Sequence, residues 1–373
     1  MLSPLQQAVD RLQKSQNILI ALPENLNGDS LGSALALAET LSQLTKKVDI
    51  VAAEPAPEKL AFLYGANQLK QRLQPRRDFI ISVNTEKNKI ASLRYEQQNN
   101  SLKIFLATPR QIEEKDIKLE AGAFAYELIV VLDAPDLETL GRTFEDHTEL
   151  FFQKPILNID HQAANENFGE INLVEPAAAA NAEITAKLLE SLGMATLSPS
   201  QATSLLCGLI TKTHSFQNIR TTPQSLNLAS WLIGQGADRE LIVQQLYKTK
   251  PLNRLKLFGR LLEQTEYDAA QKILWAKAGP ADLAATASSS RDLTCLLEEI
   301  GDFFPEARII FILWTDETGA IWALGQGERA EIVQKISLDL GGTVKQNRWL
   351  AKTAFSSPEQ IKEAINRLLN SLP

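Results

Sequence analysis

The sequence predicts an α/β protein. An N-terminal domain on a doubly wound, mostly parallel sheet is followed by a smaller C-terminal domain of mixed α/β type, with a cleft between them. Three observations predict this. Short apolar runs alternate with helical patterns in both halves of the chain. The run "ELIVVLD" (Glu127–Asp133) is apolar without interruption up to its aspartate, as expected of a strand buried on both faces of a parallel sheet. The length of 373 residues suits two domains.

The elements follow in order. "MLSPLQQAVDRLQKSQ" reads as an amphipathic helix; it lacks a basic start followed by an apolar run, so it does not read as a secretory signal. "NILIAL" (Asn17–Leu22) is a strand, and Ser30 to Leu44 a helix with Asp29 or Ser30 as N-cap. "KVDIVAA" is a second strand, followed by a short helix near Pro57–Tyr64, and "DFIISV" is a third strand. "ASLRYEQQNNSLKIFLAT" is a hairpin turning around Gln98–Asn100. "ELIVVLD" is the central strand, and "KPILNIDH" repeats its pattern, ending at Asp160–His161. Helices follow: "EPAAAANAEITAKLLESLG", with Ala177–Ala180 as its close-packed start and Gly193 at its end, then "SPSQATSLLCGLITKT", "TTPQSLNLASWLIGQG" and "DRELIVQQLYK". "PLNRLKLFGRLLEQTEYD" is amphipathic and reads as a connector. Beyond it lie the strands "QKILWAK", "RIIFILW" and "AIWALGQ", with helices at Asp292–Phe303, Ala330–Leu340 and Pro358–Leu369. The expected limits are 1–249 for the first domain, 250–268 for the connector and 269–373 for the second domain.

Composition narrows the function classes. Apolar residues make up 44% and charged residues 22%, as in ordinary globular proteins. The net charge of −7 argues against a surface built overall for nucleic acid and leaves a local basic groove open. Cys207 and Cys295 stand far apart in apolar contexts and read as buried, reduced thiols with no zinc spacing. No stretch approaches the ~20 apolar residues that span a bilayer. The expectation is a cytoplasmic protein with no membrane partner.

Three strand-to-loop junctions carry acid or imidazole: "NGDSLGS", "VVLDAPD" and "NIDHQAAN". A helix-to-loop junction, "LITKTHSFQ", is a fourth candidate. Carboxyl ends of parallel strands share one edge, so Asp29, Asp133, Asp160, His161 and His214 can converge there. Carboxylates with imidazole are the vocabulary of divalent-metal sites for phosphoryl chemistry. Aspartates at strand ends serve equally well as helix caps. Gly28, Ser30, Gly32 and Ser33 stand where backbone N–H groups at a helix start can hold phosphate. There is no G-x-G-x-x-G, Walker loop, G-x-S-x-G or H-E-x-x-H, and Ser215 beside His214 lacks an orienting acid.

With these four junctions in order, the chain resembles the DHH family of phosphoesterases, which includes nanoRNases, pAp phosphatases and single-strand exonucleases. "NLNGDSLGSALALAETL" is similar to the family's first motif, N-P-D-G-D-x-x-G-S, and "LIVVLDAPDLETLG" to its second. "ILNIDHQAANENFGEINLVEPAAAANAEI" resembles the third, D-H-H followed by N-x-x-F-G, and "LLCGLITKTHSFQNIRTTPQSLNLASWLIGQGAD" the fourth, T-D-T-G-S-F. The last third of the chain is similar to the DHH-associated substrate domain. The resemblance implies a pair of manganese ions, a nucleotide or short-oligonucleotide substrate and a homodimer.

The same resemblance exposes departures. Where the family carries metal ligands, this chain has Pro23, Asn27 and Lys212; Gln162 stands for the second histidine of D-H-H, and His214 replaces the glycine of the fourth motif. Asp29, Asp133 and His161 remain as implied ligands, with Asp160 as a partner behind them. The family's G-G-G-H phosphate loop is reduced to Gly341 and Gly342. Arg220 is either a phosphate contact or an ordinary exposed arginine. Lys345, Arg348 and Lys352 are further basic candidates, and Trp349 is either a stacking face or core.

Charge bookkeeping separates two readings. Unit charges ~4 Å apart interact by about 4 kcal/mol at an effective dielectric near 20. A Lys212 ammonium would be repelled by a nearby Mn²⁺ about twice as strongly, and attracted by Asp29 and Asp133. One reading is therefore an impaired enzyme in which Lys212 takes a metal's place, manganese is weakly held or lost, and a nucleotide, oligonucleotide or protein partner binds. The other is a working Mn²⁺-dependent phosphoesterase with Lys212 turned to solvent.

Overall fold

The continuous apolar runs become the middle of a parallel sheet. In the computed structural model, residues 2–370 are described except 87, 88, 249, 250, 317, 328 and 346. The chain divides into two compact units, Met1–Lys248 and Thr249–Pro373.

The first unit opens with helix α1 (Pro4–Lys14), strand β1 (Asn17–Ala21), helix α2 (Gly28–Gln43) and strand β2 (Lys47–Val51). Ser3 and Gln6 start α1 with a reciprocal capping box. Four strands then leave the main sheet: β3 (Arg77–Val83), β4 (Ser92–Gln98), β5 (Ser101–Ala107) and β6 (Ile117–Phe124). The chain returns with β7 (Leu128–Leu132), short helices α3 (Arg142–Glu145) and α4 (Thr148–Gln153), and strands β8 (Ile156–Asp160) and β9 (Ile171–Val174). Helices α5 (Asn181–Ser191), α6 (Pro199–Lys212), α7 (Pro223–Gly234) and α8 (Arg239–Val243) complete it. The main sheet has the order β2-β1-β7-β8-β9, parallel throughout. Strand β7 is buried at every position, as its unbroken apolar run requires. The strand order reverses between β1 and β7, which opens a crevice beyond their carboxyl ends.

The second unit contains α9 (Leu252–Glu263), β10 (Glu266–Asp268), β11 (Ile273–Ala278), α10 (Pro280–Thr286), α11 (Ser290–Phe303), β12 (Ile309–Thr315), β13 (Ile321–Gly327), α12 (Ala330–Leu340), β14 (Thr343–Lys345), β15 (Arg348–Lys352) and α13 (Pro358–Asn370). Its sheet has the order β10-β11-β12-β13-β15-β14 and is antiparallel except for β11 with β12. One face carries Trp275, Phe311 and Trp349, with Trp275 stacked on Phe311 at 4.6 Å between ring centroids. The other face is covered by α9 and α11, through Leu257, Leu261, Leu293 and Leu297. The stretch expected as a helical connector contains α9, whose Leu257 and Leu261 lie in the core of this unit, while residues 249 and 250 lie outside the described residues.

Several expectations are corrected. "DFIISV" forms β3, which pairs with β6 in a separate two-stranded antiparallel sheet, leaving Phe79, Ile80 and Ile81 exposed. A short apolar run does not reveal which sheet it joins. The segment after Pro57 makes 3₁₀ turns at Glu58–Leu60 and Ala66–Gln68. The alanine tract does not begin a helix: Ala180 is extended (φ −154°, ψ 155°), and α5 starts at Asn181. Cys207 is buried, but Cys295 is exposed, because the buried stripe of α11 runs through Leu293, Leu296, Leu297 and Ile300. Trp349 is 1% exposed and belongs to the core. The side chain of Lys345 lies outside the described residues.

Candidate functional site

Asp29 is fixed from two sides. The Asn27 side-chain oxygen accepts from the backbone N–H groups of Asp29 (2.7 Å) and Ser30 (3.0 Å), which starts α2 immediately after the loop from β1. The Asp29 carboxylate then accepts from the backbone N–H groups of Asn181 (2.7 Å) and Ala182 (2.9 Å). It is the missing N-cap of α5, supplied from 152 residues away, and it explains why the helix begins after the alanines.

Asp133 ends β7 with a left-handed backbone (φ 58°), a conformation aspartate tolerates better than most residues. One of its oxygens accepts from Asn27 Nδ2 at 2.8 Å. The other accepts from Asn181 Nδ2 at 2.9 Å and from the Lys212 ammonium at 3.3 Å. Lys212 arrives from the last turn of α6, and its side chain is 26% exposed. His161, one residue past β8, is 1% exposed. Its Nε2 lies 3.7 Å from Asp133 Oδ1 and 3.9 Å from Asp29 Oδ2, too far for hydrogen bonds. Its Nδ1 faces Arg220 Nη1 at 3.2 Å.

Burial, and then Asp133, push the Asp29 carboxyl up to about 7 from 3.8, against the opposing pull of Lys212 and the two backbone N–H groups. Burial, reinforced by Lys212, holds the His161 imidazole below its ordinary value, while Asp133 and Asp160 oppose this. The cluster therefore tends towards a neutral imidazole and fewer than two full carboxylate charges.

The structure brings Asp29, Asp133, His161, Lys212 and Arg220 together. Asp160 lies next to them with its oxygens engaged elsewhere, accepting from the backbone N–H of His161 (2.7 Å) and from Asn165 Nδ2 (2.8 Å). Gly28, Ser30, Gly32 and Ser33 are buried and form no open phosphate cradle. A Cβ on Gly32 would lie 2.2 Å from the Ser204 carbonyl oxygen, and one on Gly28 2.5 Å from Thr211 Oγ1, so these glycines allow α2 to press against α6. Ser30 closes the cap of α2 with Asn27. His214 is exposed and has a left-handed backbone (φ 49°), and among the described residues no hydrogen bond or ion pair ties its ring to the cluster. Gly341 and Gly342, in the second unit, have φ of 73° and 104° and end α12; the Gly341 carbonyl accepts from Trp349 Nε1 at 2.7 Å. Asn181 was not anticipated. It links both acids, and its signal was a lone amide between two alanine-rich stretches at a helix start.

The donor atoms of Asp29, Asp133 and His161 lie within 4.8 Å of one another, and His161 Nε2 is a buried atom without a hydrogen-bond partner. Such a set fits one cation. The Lys212 ammonium stands 3.3 Å from Asp133 Oδ1, one of these donor atoms. Among the described residues, no helix is long and apolar enough to cross a membrane.

No protein-family model matches the chain. The bifunctional oligoribonuclease and PAP phosphatase NrnA of Thermus thermophilus is 26% identical over 187 residues, covering 50% of this chain and 55% of that protein. An uncharacterized protein of Mycoplasma pneumoniae is 31% identical over 113 residues, covering 30% of this chain and 34% of that one. The chain thus spans about half the length of the first of these curated relatives and a third of the second. The crystal structure of an exopolyphosphatase-related protein from Bacteroides fragilis shares the fold, with a TM-score of 0.71 at 15% identity over 98% of this chain and 95% of that one. Motif order, fold and the NrnA relative support the resemblance of this chain to the DHH family of phosphoesterases.

Proposed function

We propose that this chain is a catalytically impaired DHH protein that binds a nucleotide or short oligonucleotide through side-chain cations in place of a metal pair. The carrying observation is the Lys212 ammonium 3.3 Å from Asp133 Oδ1, at a position where the family pattern has an acidic ligand. An ammonium there favours the two acids and opposes a divalent ion. Arg220 and the partly exposed Lys212 present positive charge to a phosphate approaching from the 213–221 loop. The NrnA relative acts, by its name, on oligoribonucleotides and PAP, which supports a nucleotide over a protein partner. The resemblance also carries a homodimer, which light scattering in solution tests.

A second reading, a working manganese-dependent phosphoesterase, draws on the three convergent donors and the unpartnered His161 Nε2. Asp29, Asp133 and His161 would hold one ion, which would supply an activated water. Elemental analysis of the purified protein, with assays on a dinucleotide and on pAp, separates the two. The first reading expects substoichiometric manganese, no turnover, and nucleotide binding that survives EDTA. Stoichiometric manganese with turnover abolished by Asp133→Ala overturns it.

A further inference from the structure

We infer that Arg220 is a positioning residue that holds His161 as a neutral imidazole with its proton on Nε2, and so removes that nitrogen from metal ligation. This rests on the reading that side-chain cations neutralise the crevice.

The argument begins with donors and acceptors. A guanidinium has N–H donors and no acceptor. Its Nη1 lies 3.2 Å from His161 Nδ1, so Nδ1 meets it favourably only as a lone pair. A neutral imidazole has one proton and one lone pair, so the proton goes to Nε2. The opposite end of the ring agrees. Nε2 faces Asp133 Oδ1 at 3.7 Å and Asp29 Oδ2 at 3.9 Å. An N–H there points its positive end at two acids. A bare lone pair there would point at them unfavourably unless a cation stood between. Double protonation would set a second N–H against the guanidinium.

Two self-consistent arrangements follow. With Arg220 on Nδ1, Nε2 carries the proton and turns its positive end towards the acids without a hydrogen bond to either. With Arg220 withdrawn, the proton can sit on Nδ1 and Nε2 is free to ligate a cation. Passing from the first to the second moves one proton from Nε2 to Nδ1 through solvent, with no net gain or loss. The guanidinium contact and an ion on Nε2 therefore exclude each other.

Local geometry ties Arg220 to this task. Asn218 Nδ2 donates to the Lys212 carbonyl at 2.9 Å, and Asn218 Oδ1 accepts from the Arg220 backbone N–H at 3.2 Å. One loop thus carries the cation for His161 and is pinned to the helix end that carries the cation for Asp133. The family's fourth motif does not dictate this arginine, which lies eight positions beyond Lys212.

The experiment is long-range ¹H–¹⁵N correlation spectroscopy of the ¹⁵N-labelled full chain in EDTA, with manganese titration calorimetry after the EDTA is removed. The chain has three histidines, and His161→Gln identifies the signal. Wild type is expected to show the Nε2–H tautomer. Arg220→Met is expected to lose that preference and to bind manganese about 10-fold more tightly, the lower end of the scale on which outer-shell partners move metal affinity. Arg220→Lys, which keeps a donor cation, is expected to retain the wild-type tautomer. An Nδ1–H signal in wild type, or an unchanged tautomer in Arg220→Met, overturns the inference. Because the tautomer is read without metal, it decides the role of Arg220 even if wild type proves to be a manganese enzyme, an outcome that sinks the functional reading separately.

Discussion

Two buried polar clusters lie side by side at the end of β8, and they are finished differently. In the first, Asn158, Asp160 and Asn165 satisfy one another. Asn158 Nδ2 donates to Asn165 Oδ1 at 2.7 Å and to Asn172 Oδ1 at 3.0 Å, while Asn165 Nδ2 donates to Asp160 Oδ2 and to the Ala134 carbonyl. In the second, Asp29, Asp133, Asn181 and His161 leave His161 Nε2 and Asn181 Oδ1 buried without partners. Amides carry donors and acceptors in equal measure, so a cluster rich in them can close on itself. Two carboxylates cannot, and they recruit cations from outside the cluster. Here the cations within reach are Lys212 and Arg220. The closed cluster shapes the third-motif loop, whereas the open one leaves free energy to be gained by binding.

The largest effect expected from this contrast is on pH dependence. The folded Asp29 carboxyl, raised to about 7 from 3.8 chiefly by burial, keeps a proton that the unfolded chain releases near 4. Its stabilising contribution is complete at low pH and disappears as pH rises through 7. By linkage this amounts to at most about 4 kcal/mol between pH 4 and 7. The depressed His161 contributes an opposite slope in both proteins, so the difference between wild type and Asp29→Asn isolates the acid. Denaturant titrations in EDTA should show wild type losing ground to the variant as pH rises; parallel curves would break the contrast.

A smaller effect is expected in the closed cluster. Asn165→Ala removes the donor to a buried carboxylate and the partner of three other groups, the Ala134 carbonyl, the Asn158 amide and the Asn167 backbone N–H, and should lower stability by about 3 kcal/mol. Nucleotide binding by the folded variant should be unchanged. A loss below about 1 kcal/mol would mean that water replaces the amide and that the two clusters do not differ as described.

The smallest effect concerns the loop that delivers Arg220. His214, Ser215 and Phe216 all have left-handed backbones, at φ of 49°, 59° and 65°. His214→Gly should raise stability by about 0.5–1 kcal/mol, with the larger unfolded-state entropy of glycine limiting the gain. A lower melting temperature in the variant would show that the histidine ring makes a stabilising contact in solution.

Much of the frame was legible in the chain. The unbroken apolar strand Leu128–Leu132 and the hairpin about Asn99 are local signals, written within a few residues. Less legible was the fate of each polar residue. Gly28 and Gly32 occupy a helix start where phosphate could bind, yet their neighbours on α6 fill that space. Asp160 stands in line with Asp133 at a strand end, yet backbone and amide donors engage its oxygens.

By itself the sequence determined where most of the long strands and helices form, because burial on one face or two repeats with the period of the backbone. It also determined that acids and an imidazole end those strands, and that an amine stands at Lys212. The tertiary structure alone decided which of them meet. Asn181 reaches Asp29 across 152 positions, and Asn27 reaches Asp133 across 106. Such contacts depend on strand order and helix approach, which are set by packing of the whole unit. Whether a carboxylate caps a helix, closes an amide network or faces a cation is settled by neighbours that no local pattern specifies.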